Sequence, residues 1–164
     1  MNVYLLLKVV HLLAVVAFLG NIAIGLFWMR YAYKTNDTGY LQHTVSGIIV
    51  ADRLFTIPGV IIITAGGIAA ALQGNIALLS TGWIFWSILL FSLSGLFFGI
   101  KVAPLQTKMK RYLEASNADG SYDKKKFSRI FKEWEFWGLL ALLTPFISFF
   151  LMVLKWPEWS PLAK

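Results

Sequence analysis

The chain has 164 residues, of which 58% are hydrophobic and only 14% charged, against roughly 25% charged in a soluble domain. That composition excludes soluble catalysis and points to a membrane protein. The net charge is +7 and cysteine is absent, which rules out disulfides, thiolate metal sites, c-type haem attachment and iron–sulfur ligation by this chain.

Apolar runs of membrane-crossing length, about 20 residues, occur at Val3 to Met29, Ile48 to Leu72, Trp83 to Ile100 and Leu139 to Leu154. The last is extended backward by the aromatic segment from Trp134. They predict an all-α fold: an antiparallel four-helix integral membrane bundle in a single transmembrane domain over 1–164, with spans at about 3–29, 46–72, 83–103 and 134–154. The first run has no basic leader or small-residue cleavage site and is too long for a signal peptide's apolar region, so it is expected to be retained as a span.

Between the spans the charge is asymmetric. The first loop, 30–47, the third, 101–133, and their borders hold Arg30, Lys34, Arg53, Lys101, Lys108, Lys110, Arg111, Lys124, Lys125, Lys126, Arg129 and Lys132, whereas the opposite face has only Lys8, Lys155 and Lys164. Basic loops stay in the cytoplasm, so a multi-pass protein with both termini outside is expected. The positive charge is then assigned to anionic lipid rather than nucleic acid. Trp28, Tyr31, Tyr33, Trp134 and Trp137 would form the inner aromatic belt, and Tyr4, Trp83, Trp86, Trp156 and Trp159 the outer one.

The third loop carries two apolar faces at helical spacing: Leu105, Met109, Tyr112 and Leu113, then Phe127, Ile130, Phe131 and Trp134. Separated by "SNADGS" and a candidate N-cap at Asp123, they predict that helices 3 and 4 extend as a cytoplasmic hairpin over about 104–133. Pro58, Pro104 and Pro145 fall inside helical segments, where packing bends are the plainer role. A carbonyl freed by such a proline needs another partner in a membrane. Gly95 and Gly99 form a GxxxG match that packs helix 3 either inside the bundle or across a homodimer.

With span midpoints near Val16, Ile61, Phe91 and Leu143, Asp52 and Arg53 lie about 12–14 Å to the cytoplasmic side, Asn21 about 8 Å, Lys101 about 15 Å and Glu135 about 12 Å. Such a layer either pairs across helices as a site for an ion, a proton or a polar ligand, or reaches the headgroups with long side chains snorkelling. His11 lies about 8 Å to the outer side, and His43 is about 30 Å from it along the membrane normal. His11 is therefore the single histidine available to a haem there, with Met152 on helix 4 as the candidate opposite ligand. A proton carrier or a bundle-holding hydrogen bond is the alternative for His11.

"KVVHLLAVVAFLGNIAIGLFWMR", "ADRLFTIPGVIIITAGG" and "FLMVLKWP" resemble a bacterial family of small predicted integral membrane proteins of unknown function. That likeness covers the four spans and implies a four-helix membrane architecture and a bacterial cytoplasmic (inner) membrane location. "KVVHLLAVVAFLG" is also similar to the first helix of HemJ-type protoporphyrinogen oxidases and copper-resistance D-type membrane domains, through a lysine three residues before a histidine. This implies haem b at His11. The start of helix 3, "TGWIFWSILL", lacks the lysine of that group, which argues against the oxidase activity more than against haem.

No nucleophile triad, zinc motif or phosphate loop stands in the sequence. Two functional classes follow. The favoured one is a non-enzymatic membrane protein, either an accessory subunit of a larger membrane complex or a small transport or sensing module, with the polar layer and the cytoplasmic hairpin as its interaction sites and no certain cofactor. The other is a haem b-binding redox protein.

Overall fold

The computed structural model describes residues 3–162. Its four long helices are α1 (Val3–Thr35), α2 (Thr38–Gln73), α3 (Gly82–Asp119) and α4 (Lys124–Leu154), each long and apolar enough to cross a membrane. There is no strand among the described residues, and the architecture is the expected antiparallel helical bundle. α1 runs beside the second half of α2, and α3 beside α4.

All four helices continue past the apolar spans at the basic end. The loop expected over 30–47 is helical except at residues 36 and 37, because α1 reaches Thr35 and α2 begins at Thr38. Asn36 takes a left-handed φ of 57°, and the Asp37 side chain accepts from Tyr40 N at 2.9 Å, capping the new helix. The physical reason is burial. Met29, Ala32, Leu41 and Val45 join Met109, Leu113, Phe127 and Phe131 in one apolar core. The expected hairpin is formed by α3 and α4, turning at Gly120 with φ 70°. Asp123 caps α4 by accepting from Lys125 N and Lys126 N at 2.8 and 3.2 Å. Tyr33 stacks on Phe131 with ring centroids 4.4 Å apart, tying α1 to the hairpin.

The opposite end is closed by the segment after α4. Gly82 N donates to Glu158 O at 3.3 Å, and Ser160 Oγ donates to Leu79 O at 2.6 Å. Trp159 meets Trp86 edge-on at 5.2 Å. A Cβ on Gly82 would run into the backbone of Pro157, Glu158 and Trp159, so only glycine admits the strap. The sequence assigned Trp156 and Trp159 to an aromatic belt and gave no sign of this fold-back.

The prolines are accommodated in two ways. α2 and α3 each contain one π-helical turn, Asp52–Thr56 and Phe98–Val102, with a proline two residues beyond it at 58 and 104. Ile57 N reaches Asp52 O, and Ala103 N reaches Phe98 O. The wider turn relieves the crowding that a proline imposes on the preceding turn. Pro145 stays within regular α-helix. The carbonyl it deprives of a donor is that of Ala141, four residues earlier, which accepts from Ser94 Oγ at 2.6 Å. One level further along, Ser87 and Ser148 each donate to the other's carbonyl at 3.2 Å.

Gly95 and Gly99 are exposed, and a Cβ on either would meet nothing within 4 Å. Close helix approach inside the bundle uses other glycines. Gly66 and Gly67 lie under His11, and Gly138 lies under Leu26.

Candidate functional site

The most polar buried group sits at the π turn of α2. Asp52 is 7% exposed and its carboxylate is held by three neutral donors from three helices. Oδ1 accepts from Asn21 Nδ2 of α1 at 3.0 Å and from Thr56 Oγ1, one turn along α2, at 2.7 Å. Oδ2 accepts from Gln106 Nε2 of α3 at 2.9 Å. Asn21 Nδ2 also donates to Thr56 Oγ1 at 2.9 Å, so the hydroxyl relays one bond into the next. The π turn places Asp52 and Thr56 side by side in the bundle, and the second π turn ends four residues before Gln106. The two backbone irregularities thus lie beside the two halves of the site, a frequent association for π turns.

Next to the carboxylate is a cavity of about 20 Å³, lined by Asn21, Asp52, Gln106, Trp134 and apolar neighbours including Val102. That is room for about one water molecule. The Trp134 indole N–H is buried and has no hydrogen-bond partner. α4 therefore contributes Trp134 to a cavity whose polar walls come from α1, α2 and α3.

Of the residues that the sequence grouped into one polar layer, the structure brings Asn21 to Asp52 and leaves the other three elsewhere. Arg53, the next residue in the π turn, is exposed. Lys101 stands over the Trp137 ring, 5.4 Å from its centroid. Glu135 pairs with Arg30 Nε at 2.8 Å. Neither of the two ion pairs described includes Asp52.

Three partners were missed, and two of them left a signal. Thr56 stands four residues after Asp52, on the same helical face. Gln106 is a lone amide inside the buried stripe of Val102, Leu105, Met109 and Leu113, a placement that requires a polar partner. Arg30 was read as a loop charge; only the extension of α1 puts it opposite Glu135.

A family model described as predicted integral membrane protein (DUF2269) matches residues 5–156. The chain belongs to this family. No curated protein and no solved structure matches it. Family membership and the four apolar helices make this a polytopic membrane protein, which changes the meaning of the buried carboxylate. In hydrocarbon a charged group is costly, faces the bundle or a wet cavity, and marks a pathway or a ligand site by default.

His11, the other singled-out group, is half-buried against α2. Its Nδ1 lies 2.8 Å from the Ile63 carbonyl oxygen. Since a carbonyl can only accept, Nδ1 carries the hydrogen, and in the neutral ring Nε2 is then the nitrogen with the lone pair. A Cβ at Gly67 would lie 3.1 Å from His11 Cε1, so the ring rests on a helix surface kept bare for it. Met152, half-buried near the end of α4, belongs to the other helix pair. Among the described residues no group of three or more His, Cys, Asp or Glu could hold a metal ion.

Proposed function

We propose that this is a non-enzymatic transport or sensing module of the bacterial inner membrane, in which the Asp52 carboxylate is an exchangeable site for a proton or a monovalent cation. The observation that carries this reading is the set of bonds to Asp52. Three neutral donors from three helices hold a carboxylate within the bundle, and among the described residues no basic side chain is bonded to it. An intramembrane acid made only for packing would be expected to be matched by a base. Here the positive partner is left to come from outside, and amide oxygens of Asn21 and Gln106 and the Thr56 hydroxyl are at hand as further ligands once the amides turn over. The positive-inside argument places the site nearer the cytoplasmic face, with both termini outside.

The test is reaction of the purified protein with a hydrophobic carbodiimide, which attacks protonated carboxyl groups in apolar surroundings, read by peptide mass spectrometry. Modification of Asp52 that falls with rising pH is expected, and protection by sodium or potassium at fixed pH would identify a cation as the occupant. An unreactive Asp52 at every pH, together with equal proton and cation flux into vesicles carrying the wild type or Asp52→Asn, would overturn the proposal.

A second reading, haem b ligated by His11, is favoured by one feature: Nδ1 donates to the Ile63 carbonyl, so that in the neutral ring Nε2 is free to ligate, as in an axial histidine whose other ring nitrogen is hydrogen-bonded. His11 would be one ligand, and Met152 on the other helix pair is the candidate second. Protein purified in mild detergent after expression with ample haem should then show a Soret band lost in His11→Ala and kept in His43→Ala. A colourless protein would end this reading.

A further inference from the structure

At the basic end, an open cleft of about 500 Å³ lies between the end of α1 and the first turns of α4, lined by Tyr33, Lys124, Lys125, Ser128, Arg129 and Lys132. Four of these six are cations and none is an acid. None of the four takes part in the ion pairs described, which join Arg30 to Glu135 and Lys110 to Glu114. Lys126 is turned away, over the Tyr112 ring at 5.2 Å. Tyr33 is fixed as one wall by stacking on Phe127 and Phe131. The cluster spans nine residues, about 12 Å of helix, so its charges repel one another unless an anion lies among them.

The same face of α4 continues toward the apolar span. At 100° per residue, one arc of about 100° holds Lys125, Arg129 and Lys132 together with Phe136, Leu139, Leu143, Phe146 and Phe150. All five are exposed large hydrophobic side chains, Phe136 and Leu143 at 57% and 51%. The face therefore presents cations above and a continuous apolar strip below. Arg129 and Lys132 precede Trp137, a half-exposed residue of the expected aromatic belt, by about 12 and 8 Å of helix rise, which is the level of lipid phosphates. Basic pockets between membrane helices on that side bind anionic headgroups.

We infer that this cleft is a binding site for an anionic phospholipid, its phosphate held by Lys125, Arg129 and Lys132 beside Tyr33, and its acyl chains lying along Phe136, Leu139 and Leu143. The inference is independent of the Asp52 site. A soluble phosphate would use the basic half of this face and leave the apolar half unused, whereas a phospholipid uses both.

Native mass spectrometry of the full chain, released from detergent with phosphatidylglycerol, phosphatidylcholine or glycerol phosphate added, tests it. Wild type should retain phosphatidylglycerol over phosphatidylcholine, and Lys125→Gln/Arg129→Gln/Lys132→Gln should lower that selectivity by roughly tenfold or more. Lys125→Arg/Lys132→Arg, which keeps the charges, and Lys108→Gln/Arg111→Gln, which removes two exposed cations elsewhere at the basic end, should both retain it. Equal retention of the two lipids by wild type would overturn the inference, as would undiminished selectivity in the triple variant or retention of glycerol phosphate as strong as that of the lipid. Preserved melting temperature in the triple variant shows that it folds, and the charge-keeping variant decides the matter if it does not.

Discussion

The two ends of the bundle are built by different physics. At the basic end, Met29, Leu41, Val45, Met109, Leu113 and Phe127 are fully buried, as in the core of a water-soluble four-helix protein. Toward the opposite end, most large side chains face outward, Leu13 and Leu72 being 64% and 68% exposed, and beyond one small cluster of Ala14, Phe18 and Ile63 the contacts between helices are made by glycines and by hydroxyl or imidazole bonds to backbone carbonyls. Water drives apolar side chains together at the first end. Lipid tails are as apolar as leucine, so at the second end close packing and hydrogen bonds replace that drive. One continuous helix, α4, obeys both rules along its length, from Phe127 to Ser148.

The sharpest way to break this contrast is to remove large side chains from each end. Phe127→Ala should cost about 3–5 kcal/mol, whereas Val16→Ala, on the lipid face, should change stability by less than about 0.5 kcal/mol. Unfolding in mixed micelles measures both, and similar values would mean that the basic end is not a solvent-driven core. Next in size is Gly82→Ala. The new Cβ collides with the backbone of the C-terminal strap, at a cost of roughly 1–3 kcal/mol, and limited proteolysis should cut between residues 155 and 162 sooner than in wild type.

Asp52→Asn belongs to the same range. It keeps one acceptor oxygen and sets an amide donor against either the Asn21 or the Gln106 donor, and should cost about 1–3 kcal/mol. Adding Gln106→Glu restores a carboxylate opposite the new amide and should recover part of the loss in melting temperature; a strictly additive pair would show that Asp52 and Gln106 are not coupled. Among the polar contacts, the smallest effect is expected at Ser94. Ser94→Ala strips the Ala141 carbonyl of its donor and should cost about 0.6–1.7 kcal/mol, the range of membrane interhelical hydrogen bonds. In a Pro145→Ala background, where residue 145 regains its own N–H, the same change should cost measurably less.

The sequence by itself determined the number of spans, the basic and less basic ends, the hairpin and its Asp123 cap, because hydropathy and helical periodicity are local properties that each segment carries alone. It also singled out Asp52, since an acid at membrane depth is conspicuous in one dimension. Tertiary structure decided what Asp52 meets. Arg53, its neighbour in the chain, points outward, while Asn21 and Gln106, 31 and 54 residues away, donate to it. Which residues share a depth follows from helix length, but which of them face one another depends on helix rotation, which the two π turns reset beside the site. The acceptor roles of Ala141 and Ile63, the pairing of Arg30 with Glu135 and the strap over Gly82 were likewise decided only when the helices came together. A backbone carbonyl carries no sequence mark of its own, and a glycine shows its purpose only when another chain segment lies against it.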